Sequence, residues 1–153
     1  CGIREFGFNA LLSLRLEKGF GIWSAEFTQG YTPGMTGMDR WIDWEKEQFI
    51  GQAAAIKERD GNGPAQKLVM LEIDADDADA SGYEPIWNND SLVGFVTSGG
   101  YGHTLKKSLA MALVNNDLAS ENQRLKVHVV GVEKDATVIQ ASPYDPEGKV
   151  MRV

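Results

Sequence analysis

A single cysteine in 153 residues, Cys1, cannot form an internal disulfide and leaves no thiolate cluster for a metal. Two histidines, His103 and His128, complete no zinc or iron site at the usual ligand spacings. No apolar run approaches the ~18 residues of a spanning helix, and no basic stretch leads into an apolar one at the N-terminus. A membrane is therefore not an expected partner, and a cytoplasmic location is the default. Positive charge is also short, with 15 basic against 22 acidic residues and a net charge of −7. That balance argues against nucleic acid or an anionic surface as the main partner. An initiator methionine is missing too. The chain opens on Cys1-Gly2-Ile3 and enters a helix-like pattern almost at once, which reads as a piece of a longer polypeptide.

What remains is an ordinary globular composition, 42% hydrophobic and 24% charged. A chain of this length buries roughly 68–70% of its unfolded surface, enough for a core without covalent staples. Residues 4–18 read as a helix with Phe8, Leu11, Leu12, Leu14 and Leu16 on its apolar face, Arg15 and Glu17 on the flanks, and Gly19 just past the end. An aromatic loop with Trp23, Phe27 and Tyr31 follows, then the turn signal Thr32-Pro33-Gly34 and a short strand over Met38–Trp44. A second helix spans Gln48–Arg59 and is broken by Asp60-Gly61-Asn62-Gly63-Pro64, the best boundary in the sequence.

Beyond that boundary the period becomes that of strands, over Leu68–Ile73, Leu92–Thr97, Leu109–Val114, Leu125–Val132 and Ala136–Ile139. Turn residues separate several of them, at Asn88-Asn89-Asp90, Gly99-Gly100 and Asn115-Asn116-Asp117. The fold class is α+β: two helices and a short strand, then a small antiparallel barrel or sandwich.

Candidate chemical motifs fail on inspection. Gly99 to Ser108 imitates a phosphate loop, yet Lys106 occupies the position where glycine must precede Lys-Ser, and Leu105 stands where a dinucleotide fingerprint needs its third glycine. The structural reading is a glycine-rich turn between barrel strands. Asp74, Asp76, Asp77 and Asp79 suggest a calcium loop, but its sixth and twelfth positions are Asp79 and Pro85 instead of glycine and glutamate, so a solvated acidic loop is expected. Neither histidine accompanies a nucleophile signature. Trp23, Trp41, Trp44 and Trp87 could stack on a flat ligand, although packing is the more common use of tryptophan.

Taken together, several segments resemble the C-terminal part of the glycine-cleavage T-protein (aminomethyltransferase) family. They are Ser13-Leu14-Arg15-Leu16-Glu17-Lys18-Gly19, Tyr31-Thr32-Pro33, Phe49-Ile50-Gly51, the run from Gly94 to Thr104, Lys107-Ser108-Leu109-Ala110 and the ending Pro143-Tyr144-Asp145-Pro146-Glu147-Gly148. They occur in family order over nearly the whole chain. The style of Leu16–Trp23 and of the ending is closest to the folate module of dimethylglycine and sarcosine dehydrogenases.

The resemblance implies that residues 1–63 are the remnant of a folate-binding domain and that 64–153 form the family's C-terminal β-barrel. It implies tetrahydrofolate as cofactor, FAD in an upstream domain only, and the N-terminal domains of the same polypeptide as partners. A homo-oligomer stays open. The family's catalytic aspartate and main pterin-binding glutamate lie upstream, so no catalytic residue is assigned and the chain alone is expected to be inactive. Trp23, Arg40 and Lys67 are the candidate cofactor-binding residues. Lys67 keeps the charge of a family arginine at the barrel's entry, Arg40 falls where an aromatic contact is expected, and Leu11 replaces a folate-contacting arginine. Other readings are a same-fold demethylase of another methylated compound, or a non-catalytic barrel interaction module.

Overall fold

A computed structural model describes Gly2 and residues 4–152; Cys1, the chain's single cysteine, lies outside the described residues. Helix α1 spans Phe8–Lys18, α2 Pro33–Thr36 and α3 Gln52–Asp60, with a 3₁₀ turn at Asp39–Trp41. Six strands follow: β1 Gln66–Ile73, β2 Pro85–Asn88, β3 Ser91–Gly102, β4 Lys107–Asn115, β5 Arg124–Val129 and β6 Val132–Ile139. They close into an antiparallel barrel in the order β1-β4-β3-β2-β5-β6, with β6 returning to β1 through pairs such as Leu71–Val138. The architecture is α+β, as the sequence indicated.

Alternation builds the core. Val69, Leu71 and Ile73 of β1 point inward with Ala110, Ala112 and Val114 of β4 and with Leu125, Val127 and Val129 of β5. The opposite face of β4 is also covered, because Leu109 and Met111 lie with Met70 beneath Leu16 of α1. Burial on both sides explains why Leu109–Val114 is apolar at every position instead of alternating.

Several local expectations change. Thr32-Pro33-Gly34 starts a helix: the Met35 N–H donates to Thr32 Oγ1 at 3.2 Å, and Pro33 occupies the first turn, where its missing N–H costs nothing. The strand expected over Met38–Trp44 is accordingly a 3₁₀ turn. The second helix begins at Gln52 because Gly51 takes a left-handed conformation, φ +86°. Gly99 and Gly100 lie within β3, and the β3–β4 reversal is made by His103–Lys106, where the Lys106 N–H donates to the Gly102 carbonyl at 2.7 Å. The run Leu125–Val132 is two strands, since Val130 and Gly131 are both left-handed and form the hairpin turn. Asn115-Asn116-Asp117 opens a 3₁₀ turn that carries the chain from β4 to β5, strands that are not neighbours. The hairpin at Asn89-Asp90 is as expected, but β2 before it escaped the reading, being four residues long and opening on proline.

The first helix is turned over relative to its leucine pattern. Arg15, Leu16 and Glu17 are its buried residues, while Phe8, Leu11 and Leu14 are exposed. The barrel surface beneath α1 offers hydrogen-bonding groups, and these draw the charged side chains inward.

Candidate functional site

Two features define the site: a polar joint that fixes α1 and its following loop to the barrel, and the apolar face that this joint leaves outward. Glu17, 2% exposed, reaches the β3–β4 turn. Its Oε1 accepts from the backbone N–H groups of Thr104 and Leu105 at 2.6 and 2.8 Å, and its Oε2 accepts from Thr104 Oγ1 at 2.8 Å. Ser13 Oγ donates to the Tyr101 carbonyl at 2.7 Å, one helical turn earlier on the same face.

On the other side of Leu16, Arg15 enters a second buried group. One of its terminal nitrogens lies 3.2 Å from the Phe20 carbonyl and 3.5 Å from Glu26 Oε2. Glu26 is fully buried and also accepts from the Ile22 N–H at 2.9 Å and from Ser98 Oγ on β3. Burial pulls the Arg15 pKa down and the Glu26 charge opposes that shift; the guanidinium remains a cation at neutral pH. Glu26 thus ties the loop 22–27, the helix and the barrel wall together.

A third clamp comes from the chain's end. Lys18 Nζ donates to the Asp145 carbonyl and pairs with its carboxylate at 3.4 Å, and the Tyr144 N–H donates to the Glu17 carbonyl at 2.9 Å. Gly19, at φ +71°, passes so close to the Ala141 carbonyl that a Cβ would overlap it. The segments that carried the resemblance therefore meet in space: 13–19 touches both 94–104 and 143–148.

Outward, Phe6, Phe8, Leu11, Leu14, Phe20 and Trp23 are exposed along α1 and its loop. Together they make an exposed apolar face, a kind of surface that more often marks a contact than a solvated one.

Trp23, Arg40 and Lys67 occupy three separate elements. Trp23, 83% exposed, stands on the loop pinned by Glu26, its ring edge-on to Phe27 at 6.2 Å. Arg40 is exposed on the 3₁₀ turn with its guanidinium 5.4 Å from the Trp41 ring centre. Lys67 is exposed near the start of β1, paired in register with Val114. The clefts of about 640 and 390 Å³ on the barrel are lined by other residues. None of the four tryptophans is in the core: Trp23 and Trp41 are exposed, Trp44 lies under the Arg59 guanidinium at 4.5 Å, and Trp87 is half-buried beside His128. His128 faces outward, with Glu133 3.6 Å away. Among the described residues no three His, Cys, Asp or Glu side chains are grouped to hold a metal, and no helix is long and apolar enough to cross a membrane.

Sequence reasoning missed Glu26, Ser98 and the inward turn of Arg15 and Glu17. The one available signal was Glu26 itself, the only charged residue between Lys18 and Asp39.

Such an arrangement defines a class, that of a closed six-stranded barrel with a helix clamped to its wall by buried charges and an apolar face left outward. The chain belongs to the glycine cleavage T-protein family: residues 66–145 match the model described as the glycine cleavage T-protein C-terminal barrel domain. It is similar to the mitochondrial dimethylglycine dehydrogenase of Rattus norvegicus, with 36% identity over 139 residues, 91% of this chain and 16% of that protein. It is 34% identical over 149 residues to the aminomethyltransferase of Synechocystis, covering 97% of this chain and 40% of that one. Among solved structures, the glycine cleavage system aminomethyltransferase T from Bartonella henselae superposes with a TM-score of 0.81 at 26% identity, over 92% of this chain and 39% of that one. The chain thus spans between about a sixth and two fifths of the proteins it matches.

Proposed function

We propose that this chain is the C-terminal part of a tetrahydrofolate-dependent aminomethyltransferase-like module in a dimethylglycine or sarcosine dehydrogenase-type enzyme. The observation that carries the reading is the 36% identity to a dimethylglycine dehydrogenase over 91% of the chain. In this reading residues 1–63 complete a folate-binding domain begun upstream, and 64–153 are the barrel that closes against it. The upstream domains cover the outward face of α1 and hold both the catalytic groups and the FAD. FAD oxidises the N-methyl amine, and tetrahydrofolate accepts the one-carbon unit. The isolated chain performs neither step.

The chemistry of the three candidate residues suits a folate: Arg40 and Lys67 supply cations for an acidic tail, and Trp23 an aromatic plane held on a fixed loop. Neither the 640 nor the 390 Å³ cleft contains them, and in this reading their site is shared with upstream residues. A cytoplasmic location belongs to the same proposal; the rat relative is described as mitochondrial.

The test is to sequence the coding DNA upstream of Cys1. The reading expects an open frame that continues into a T-protein N-terminal domain and a flavin-binding domain. A start codon directly before Cys1 sinks it, as does amine oxidation or one-carbon transfer by the isolated 153-residue chain.

A further inference from the structure

The loop that follows α1 is closed by its own backbone and braced by a buried ion pair. The Ile22 carbonyl accepts from the N–H groups of Ala25, Glu26 and Phe27 at 3.2, 2.9 and 3.3 Å, and the Ile22 N–H donates to Glu26 Oε2 at 2.9 Å. Both main-chain groups of Ile22 are therefore engaged, with Trp23 and Ser24 at the tip of the loop. Gly21 permits the closure, since a Cβ there would lie 2.8 Å from both the Glu26 Cβ and the Phe27 ring. Arg15 adds a hydrogen bond to the Phe20 carbonyl at 3.2 Å, and Ser98 Oγ on β3 donates to Glu26 Oε1. Glu26, fully buried, thus touches the loop, the helix and the barrel wall.

What this support presents is an indole. Trp23 is open to solvent, braced by Phe27 with the ring centres 6.2 Å apart and the planes at 75°. The surrounding loop shows no charge outward, because Glu26 is the only charged residue between Lys18 and Asp39 and its side chain is buried. A tryptophan on a flexible loop loses freedom when it stacks on a ligand, and one fixed beforehand avoids that cost. An uncharged aromatic platform suits the flat ring system of a folate, and the acidic tail suits Arg40 and Lys67 instead.

We propose that Glu26 is a positioning residue, which fixes the Trp23 indole as the stacking surface for an uncharged ring of tetrahydrofolate. The inference rests on the folate reading above. Glu26 touches no ligand and acts through the Ile22 N–H that it holds. Removing Glu26 alone leaves the Arg15 cation buried without its counter-charge, which weakens the whole fold. Replacing both partners together avoids this, since a buried ion pair exchanged for side chains of similar volume is often neutral. Arg15→Met/Glu26→Gln keeps an acceptor for the Ile22 N–H, and Arg15→Met/Glu26→Met removes it at nearly the same volume.

The test compares backbone amide NMR order parameters of the two double variants in the 153-residue chain. The glutamine variant should keep the Trp23 amide near the rigid-backbone value of about 0.85, and the methionine variant should fall below about 0.6. In the longer polypeptide of the folate reading, Trp23→Ala should weaken tetrahydrofolate binding by roughly 2- to 12-fold. There the methionine variant should bind it about twofold or more weakly than the glutamine variant. Equal Trp23 order in the two double variants overturns the positioning role. So does equal folate affinity in the two where Trp23→Ala weakens binding. Unchanged affinity in Trp23→Ala, an exposed site whose replacement leaves the fold intact, overturns the proposal by a separate route, through the folate reading itself.

Discussion

Glu17 joins helix to barrel through three hydrogen bonds from one turn, so its replacement measures the strength of that joint. Oε1 takes the two backbone N–H groups of Thr104 and Leu105, and Oε2 takes the Thr104 hydroxyl. In Glu17→Gln the amide oxygen keeps the two N–H bonds and the amide nitrogen donates to the hydroxyl, which can accept. Geometry survives while charge assistance is lost. Charge-assisted bonds are roughly twice as strong as neutral ones and contribute about 1.5–3 kcal/mol each. Halving three of them at the low end costs about 2 kcal/mol. Glu17→Ala removes all three acceptances, and water reaches the outer side of the turn, so about 4 kcal/mol is expected. At about 2–4 °C per kcal/mol for this size, the midpoints fall by about 4–8 °C and 8–16 °C. Urea unfolding with unchanged slope is the assay. A Glu17→Ala variant within about 0.5 kcal/mol of the parent refutes the joint, and so does glutamine proving as harmful as alanine.

The orientation of α1 predicts an unusual leucine pattern: Leu16→Ala costs about 2–5 kcal/mol as a core truncation. Leu11→Lys with Leu14→Lys stays within about 0.5 kcal/mol per site in urea unfolding. A large loss from the lysine pair would mean that the leucine face is the packed one. Gly19→Ala, forced to φ +71° against the Ala141 carbonyl, is expected to lose about 2 kcal/mol or more, and a neutral result contradicts that close approach. The Asp77 carboxyl is held below its ordinary 3.8 by the hydrogen bond from Lys134. A depressed carboxylate pKa contributes stability above the unfolded value that is lost as pH falls through the folded one. NMR titration should therefore show a midpoint below 3.8 that rises in Lys134→Met without reaching the ordinary value, because hydrogen bonds from the Asp77 and Ala78 backbone also lower it; an unmoved midpoint removes the pair.

Much of the barrel was legible because strand alternation and turn chemistry are local. The Asn89-Asp90 hairpin and the cores of β1, β4 and β6 follow from residues a few positions apart. The misses at the joint between α1 and the barrel share a cause, in that each depended on a partner distant in sequence. Arg15 and Glu17 turn inward for Glu26 on the loop and Thr104 on the β3–β4 turn, and the leucine period alone put them on the flanks. Val130 hides a hairpin turn because a β-branched residue rarely takes positive φ, and Gly131 alone gave too little signal. Gly99 sits inside β3 because the loop carbonyl at Ala80 approaches its backbone, a demand that resembles a turn when read locally. Trp23, Arg40 and Lys67 were named by resemblance, and their exposure follows from elements that no periodicity in the chain connects.

On the proposed reading, the most direct measurement uses the longer polypeptide that would carry this sequence. It should be given an N-methyl amine and tetrahydrofolate, and the fraction of the released one-carbon unit bound to folate should be compared before and after deletion of residues 1–153. The account predicts that amine oxidation persists while the folate-bound fraction falls to background. A folate-bound fraction unchanged by the deletion contradicts it.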